Sequence, residues 1–418
     1  MKKKILAISD HPLQPTGVAY QTRLMIEGLL ETGKYQFMSF AGAREHEDYR
    51  PQIPEDWKED WIIIPVDNYG TPDEVRQAVT QWKPDLLWFM TDPRSFYWLF
   101  DIEHEIRPKC PMVYYHVWDN YPIPKFNKPF YESCDAIGTI SELTDDIVKT
   151  LSPSVKSKFI PHGIESHFYK PLETEEKKRR REETFGEHGE KMLLFWNNKN
   201  FRRKLPGTLL KYFKDFCDEY GEDKVSLVMH TKTQAAEGQN LRGIVEDLGL
   251  KKGQVFFHED FLTEEQLGEF YALCDVGINI ADAEGWGLSV TESLFSGLPV
   301  IATKTGGMQG QLKDGDNVLG VLLEPDAQAL IGSQTVPYIH EDRVSSEKVT
   351  KAIKEMLDLW YNKEEFNKLS KRCREVALER YDSKKYQQEW IDFIEEVIQE
   401  NGSWETRKNY KNFRVKVL

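Results

Sequence analysis

Residues 275–307 read DVGINIADAEGWGLSVTESLFSGLPVIATKTGG. An apolar run, Val276 to Ile280, leads into a loop that holds Glu284 and a glycine-flanked Trp286. A helical pattern follows from Leu288 to Ser296. Then come a Gly-Leu-Pro break, a second apolar run from Val300 to Ala302, and a Gly-Gly turn. Strand, loop, helix, strand, loop is one βαβ unit, and open α/β sheets take their ligands at the carboxyl ends of the strands. The chemistry lies in two carboxylates, Glu284 before the helix and Glu292 inside it, with seven residues between them. Gly285 and Gly287 let the backbone approach a ligand closely. The amides of Gly287, Leu288 and Ser289 open the helix, where unpaired N–H groups and the macrodipole favour a phosphate. The carboxylates repel that phosphate but accept well from hydroxyls on either side of it. The pattern points to a ligand that carries a sugar, a diphosphate and a ribose.

The string EGWGLSVTESLFSGLPVIAT, with its Glu-x7-Glu spacing, resembles the signature of the retaining glycosyltransferases of family 4, the glycosyl transferases group 1. The spacing alone carries nothing, since surface helices are rich in glutamate; the flanking EGWG and SGLPVIAT make the match specific. The resemblance implies the GT-B fold. That is an α/β architecture of two Rossmann-like doubly wound domains facing each other across a cleft, with a C-terminal helix crossing back to the first. It also implies that Glu284 contacts the donor sugar and Glu292 the ribose.

Composition agrees with two domains. A chain of 418 residues outgrows one ordinary core, and 40% hydrophobic with 12% aromatic residues is enough to fill two. A net charge of −14 argues against general nucleic-acid binding. The five cysteines are odd in number and scattered without a CxxC, so neither a disulfide framework nor a zinc site is expected, and reduced cytoplasmic thiols are. MKKKILAISD is too short in apolar residues for a signal peptide and reads as a first strand. No apolar run approaches the roughly eighteen residues that a bilayer span needs. The expected protein is soluble, or peripheral at the inner face of the membrane.

The first domain is expected over residues 1–172. Ile5 to Ile8 runs through SDHPLQPTGVAYQT into a helix from Tyr20 to Glu31. There is no GxGxxG, so a dinucleotide site is not supported. By the resemblance Gly17 lies in the cleft near the donor phosphates; the plainer reading is a turn glycine. Apolar runs at 35–40, 61–65, 86–90 and 112–116, with helical patterns between the last three, make a parallel sheet. TDPRSFYWLF is aromatic core, with an exposed share able to meet a lipid or aromatic acceptor. His116 and Asp119 follow the strand at Met112, where family members often carry an acceptor-side histidine or aspartate. They are the acceptor-side catalytic candidates, against the alternative of a structural histidine. Ser141 caps the next helix. His162, in KFIPHGIESHFYKP, either lines the cleft or sits in an ordinary loop.

Residues 173–190 form the boundary. Acidic residues flank the KKRRR run at helical spacing, which favours a solvated, self-paired helix over a lipid or nucleic-acid patch. The second domain, 191–383, opens with LLFWNNKNFRRKLPGTLL, a strand, a basic loop and a helix from Pro206. Lys199, Arg202, Arg203 and Lys204 cluster at the mouth of that helix and oppose a diphosphate. In the resembled family an arginine and a lysine hold the donor phosphates here. Lys204 matches the lysine, and Lys199 stands where the arginine would be, a point charge in place of a fork. The loops after Val225 to Met229 and around FFHEDF hold the base in the family, and Thr263 caps the helix after them. The stretch Gln328 to Ser346 is longer and less regular than the family pattern and carries no role. Residues 384–418 are expected to complete the first domain, with the basic, aromatic end RKNYKNFRVKVL packed or touching a membrane or a second subunit.

The leading reading is a retaining glycosyltransferase that moves a sugar from a nucleotide-diphosphate sugar to a carbohydrate, lipid-linked or other hydroxyl acceptor. No cofactor is expected beyond that co-substrate, and no metal, since no Asp-x-Asp follows a strand; lysine and helix amides stand in for the ion. Glu284, His116 and Asp119 are the catalytic candidates. The donor-binding set is Gly17, Lys199, Arg203, Lys204, Gly287, Leu288, Ser289 and Glu292. Two alternatives keep the same ligand: a nucleotide-sugar epimerase of this fold, or a catalytically silent nucleotide-sugar-binding subunit.

Overall fold

The computed structural model describes residues 2–118, 120–221, 223–334, 336–408 and 410. Two parallel sheets dominate it. The first has seven strands in the spatial order Trp61–Pro65, Tyr35–Gly42, Lys3–Asp10, Leu86–Thr91, Met112–His116, Ala136–Thr139, Lys156–Phe159. The second has six, in the order Val255–His258, Val225–His230, Met192–Asn197, Val276–Asn279, Val300–Thr303, Gly320–Leu323. Every pairing within these sheets is parallel. Strands covered on both faces become continuous apolar runs, and LLWFM at 86–90 is buried at every position.

Each sheet reverses its winding beside its own first strand, between Lys3–Asp10 and Leu86–Thr91 and between Met192–Asn197 and Val276–Asn279. Crevices form at such switch points. Local signals set the helices that follow. Thr16 accepts from the Ala19 amide to start Gly17–Glu31, Ser141 accepts from Thr144 to start Glu142–Leu151, and Thr263 and Gln266 close a reciprocal capping box before Glu264–Leu273.

The last helix, Ser383–Asn401, packs on the first domain. Its Tyr386 donates to the Gln21 carbonyl at 2.9 Å and its Gln387 to that of Leu24 at 3.0 Å. Trp390 meets Trp88 and Tyr115 edge-on at 5.7 and 4.8 Å between ring centroids. Residues 174–185 form a helix in which Arg179 pairs with Glu176 and Glu183, as the charge pattern suggests. It is less solvated than expected: Arg181 is buried and grips Asp275 at 2.9 Å.

The stretch beyond Gln328 is more regular than its sequence suggests. Ala327–Ile331 and Ile339–Arg343 pair antiparallel as a hairpin off the second domain. All five cysteines are buried and free. Among the described residues no helix is long and apolar enough to cross a membrane. Residues 411–418, which include most of the basic, aromatic ending, lie outside the described part.

Candidate active site

The rim of the second domain is assembled at its switch point. Gly287, with a φ of 92°, caps the helix Leu288–Phe295, and no side chain caps it. A buried polar chain fixes this turn. Trp286 Nε1 donates to Thr291 Oγ1 at 2.9 Å, Thr291 Oγ1 donates to Gln311 Oε1 at 2.7 Å, and Gln311 Nε2 donates to the Trp286 carbonyl at 2.6 Å. The rim touches the first domain directly. A methyl placed on Gly17 would lie 2.9 Å from Leu288 Cδ1, so glycine there permits the close approach of the two halves. Ser289 lies 3.4 Å from Asn279 Nδ2 through its hydroxyl.

Glu284 is buried, and the Lys204 ammonium rests on its Oε2 with Arg203 Nη1 3.4 Å from the same oxygen. Burial works to raise its pKa, but Lys204 and Arg203 outweigh that and hold it below the ordinary carboxylate value. Arg203 also donates to the Ala283 carbonyl at 2.7 Å, and the Asp282 amide donates to the Arg203 carbonyl at 2.9 Å. The basic turn and the acidic loop are therefore laced together.

Glu292 is half-buried and accepts from Tyr271 Oη at 2.6 Å and Asn197 Nδ2 at 3.1 Å. No cation is among these partners, so burial prevails over the two hydrogen bonds and pushes its pKa up to about 7. Two carboxylates of one motif thus sit in opposite electrostatic states.

Several sequence expectations change. Lys199 does not join the cluster: its side chain is 74% exposed and its ammonium lies 3.8 Å from Glu237. Arg202 turns to the hairpin and grips Glu341. His116 does not face the cleft. Side chains alternate along a strand, so Tyr115 points to Trp390 while Tyr114 and His116 share the other, buried face. A hydrogen-bond chain encloses the ring: Asn127 donates to Tyr131, Tyr131 Oη lies 2.8 Å from His116 Nε2, and His116 Nδ1 lies 3.0 Å from Tyr114 Oη. Tyr114 gives its own proton to the Thr91 carbonyl at 2.6 Å, so it accepts from Nδ1–H, and the ring is neutral. Burial lowers its pKa to about 3. Asp119 lies outside the described residues.

His162 is enclosed by Tyr115 and Trp286, at 5.5 and 5.8 Å between centroids, where the domains meet. A cavity of about 600 Å³ lies beyond Trp286, lined by Ser141, Gly307 and Tyr381 among others. It contains neither Lys204 nor Glu292, so the site is read from the charged rim and not from that cavity. Asn197, Tyr271 and Glu341 are the functional neighbours that sequence reasoning missed. Asn197 reaches the motif from the end of the strand Met192–Asn197, Tyr271 from the helix Glu264–Leu273 and Glu341 from the hairpin, and no motif in the sequence marks them.

Comparison with known proteins bears on the fold and on the second half of the chain. Residues 176–356 match the family model described as glycosyl transferases group 1. The alpha-monoglucosyldiacylglycerol synthase of Streptococcus pneumoniae is 29% identical over 178 residues, 41% of this chain and 38% of that protein. The D-inositol 3-phosphate glycosyltransferase of Acidothermus cellulolyticus is 31% identical over 87 residues, 21% of this chain and 19% of that one. Each match spans well under two thirds of the relative's length. Among solved structures, sucrose-phosphate synthase of Thermosynechococcus elongatus superposes with a TM-score of 0.74 at 14% identity, covering 96% of this chain and all of that one. Anabaena HepE, solved with UDP and glucose, gives 0.65 at 16% identity, covering 94% of this chain and all of that one. The fold is GT-B, and residues 176–356 are similar to the glycosyl transferases group 1, the family that the EGWG and SGLPVIAT segments resemble.

Proposed function

We propose that the protein transfers a sugar from a nucleotide-diphosphate sugar to a hydroxyl acceptor, with retention at the anomeric carbon and without a metal ion. The observation that carries this reading is the pairing of Lys204 and Arg203 with Glu284 beside a helix start that no side chain caps. A diphosphate placed there would meet helix amides on one side and two cations on the other. Glu292 would accept from the ribose, and Glu284, its charge balanced by Lys204, from a donor-sugar hydroxyl. As the glycosidic bond breaks, negative charge grows on the leaving diphosphate, and Lys204 moves from Glu284 toward it. The acceptor oxygen bonds to the anomeric carbon on the same face, and its proton passes to the leaving phosphate. That route needs no side-chain base, which fits the enclosure of His116 between two phenols.

In this reading residues 1–172 with the crossing helix hold the acceptor, and 191–383 the donor. The UDP in the HepE structure makes UDP-sugars the first donors to try. The lipid and inositol phosphate in the relatives' names define the acceptor range to screen, with peripheral membrane contact if the acceptor is a lipid. The buried thiols suit a reducing, cytoplasmic compartment. The test is a thermal-shift panel of UDP, GDP and their sugars in excess chelator. Ligand at 100 times its Kd adds about 2.7 kcal/mol of stability. A panel that shifts nothing, or that shifts only after a divalent ion is restored, removes the proposal.

A further inference from the structure

The hairpin formed by Ala327–Ile331 and Ile339–Arg343 reaches both halves of the site. On the donor side, Glu341 is 2% exposed and takes the Arg202 guanidinium through both oxygens, with Arg343 donating to it at 2.9 Å. Arg343 Nη1 also stands 3.1 Å from Asp282, and the Asp342 amide donates to the Asp282 carbonyl at 2.8 Å. Asp282 lies two residues before Glu284, and Arg202 two residues before Lys204. On the acceptor side, the loop after the strand Met112–His116 docks on the same hairpin. Asn120 donates to the His340 carbonyl at 2.7 Å, and the Lys125 amide donates to Tyr338 Oη at 3.1 Å. The Tyr338 ring meets Phe126 edge-on at 5.0 Å.

We infer that this hairpin is the positioning element that registers the acceptor-side loop against the basic donor turn, with Glu341 as the positioning residue on one side and Tyr338 on the other. The inference deepens the glycosyl-transfer reading and rests on it. A bidentate carboxylate–guanidinium pair fixes direction as well as distance. Glu341 therefore sets where the turn that ends in Lys204 points, without touching the diphosphate. Tyr338 holds the 120–126 loop at the height of that turn, so acceptor placement is built into the donor domain's own insertion. The sequence offered no role for this segment because its partners lie more than a hundred residues away.

The two ends of the hairpin should fail differently. Glu341→Ala should lower kcat and weaken nucleotide-diphosphate binding about tenfold, the scale of one lost charged hydrogen bond. Acceptor KM should stay near wild type. Glu341→Asp, which restores the charge, should recover part of the loss. Tyr338→Ala should raise acceptor KM about tenfold while the Kd for the nucleotide diphosphate stays within about twofold. Hydrogen exchange at the Lys125 amide should quicken in Tyr338→Ala and not in Glu341→Ala. A wild type that binds no nucleotide diphosphate would sink the glycosyl-transfer reading, and the exchange result would still judge the docking. A wild type that transfers sugar, with both variants changing only Tm, overturns the positioning role. So does a Tyr338→Ala protein with unchanged Lys125 exchange.

Discussion

Both sheets switch winding beside their first strand, and each offers the cleft a rim of strand ends, yet the two rims are chemically unlike. Around Glu284 in the second domain, the cations Arg202, Arg203, Lys204 and Arg343 interlock with the carboxylates Asp282, Glu284 and Glu341. At the matching edge of the first domain, Asp10 accepts from hydroxyls, of Thr16 at 2.7 Å and Tyr69 at 2.9 Å, and burial raises its pKa. His116 is sealed among phenols and neutral. Charge is expensive to hold in a closing cleft unless it is paired. One topology thus supports a rim of interlocked ion pairs around Glu284 and, around Asp10 and His116, a rim held mainly by hydrogen bonds to hydroxyls. An anionic diphosphate needs the first kind. An uncharged hydroxyl acceptor can do with the second.

The comparison breaks most visibly at Lys204. If the charged rim stabilises the leaving diphosphate, Lys204→Ala should cut turnover by about 10²–10³, the cost of removing one preorganised donor at developing charge. Steady-state kinetics that show an unchanged kcat would take Lys204 out of the chemistry.

Next in size is the contrast between the glutamates. Glu284→Gln should lower sugar transfer roughly ten- to hundredfold while free nucleotide diphosphate binds about as before, since its proposed partner belongs to the sugar alone. Glu292→Gln should weaken nucleotide and nucleotide sugar alike. Calorimetric titration beside transfer assays separates the two, and equal losses of free-nucleotide affinity would merge the roles assigned here.

Glu292 also predicts a pH dependence. Its folded value of about 7 lies above its ordinary 4.5. The proton therefore stabilises the fold fully below about 4.5, and that contribution is lost as pH rises through about 7. Ribose hydroxyls favour the ionised form. Nucleotide-sugar affinity should thus rise as pH climbs through about 7, by about tenfold between pH 6 and pH 8. The Glu292→Gln profile should be flat. A wild-type profile already flat there would mean that the carboxylate is ionised throughout.

The smallest effect on activity belongs to the neutral rim. His116→Phe removes a partner from Tyr114 and from Tyr131, so stability should fall by about 1–3 kcal/mol in denaturant melts. Transfer per folded molecule should hold within about twofold. A loss as large as that of Glu284→Gln would return His116 to the chemistry and erase the distinction between the rims.

The legible parts of this molecule were the local ones. Glu284, Gly287 and Glu292 share one turn and one helix, so strand–loop–helix grammar was enough to bring them together. Ser141 and Thr263 announced the helices that begin at the very next residue. His116 was misread because a strand buried on both faces has no polar alternation to show which side meets the cleft. Lys199 was misread because spacing along a loop does not say which way a long side chain leaves it. Tyr271 and Asn197, which donate to Glu292, and Glu341, which holds Arg202, join the site only through tertiary packing, information that no short window of sequence contains.

The crossing helix has a consequence for synthesis. Gly138 has no side chain because Trp390 occupies that space, 2.7 Å from where a Cβ would stand, and Trp88 and Tyr115 close around the same indole. The first half of the polypeptide leaves the ribosome before its plug, the helix Ser383–Asn401, has been translated. Domains otherwise fold largely as they emerge. Here the amino-terminal half cannot fill its apolar socket until the donor half has been made and the helix Ser383–Asn401 packs on it. A chain that stops before Ser383 therefore lacks the indole that fills this aromatic socket.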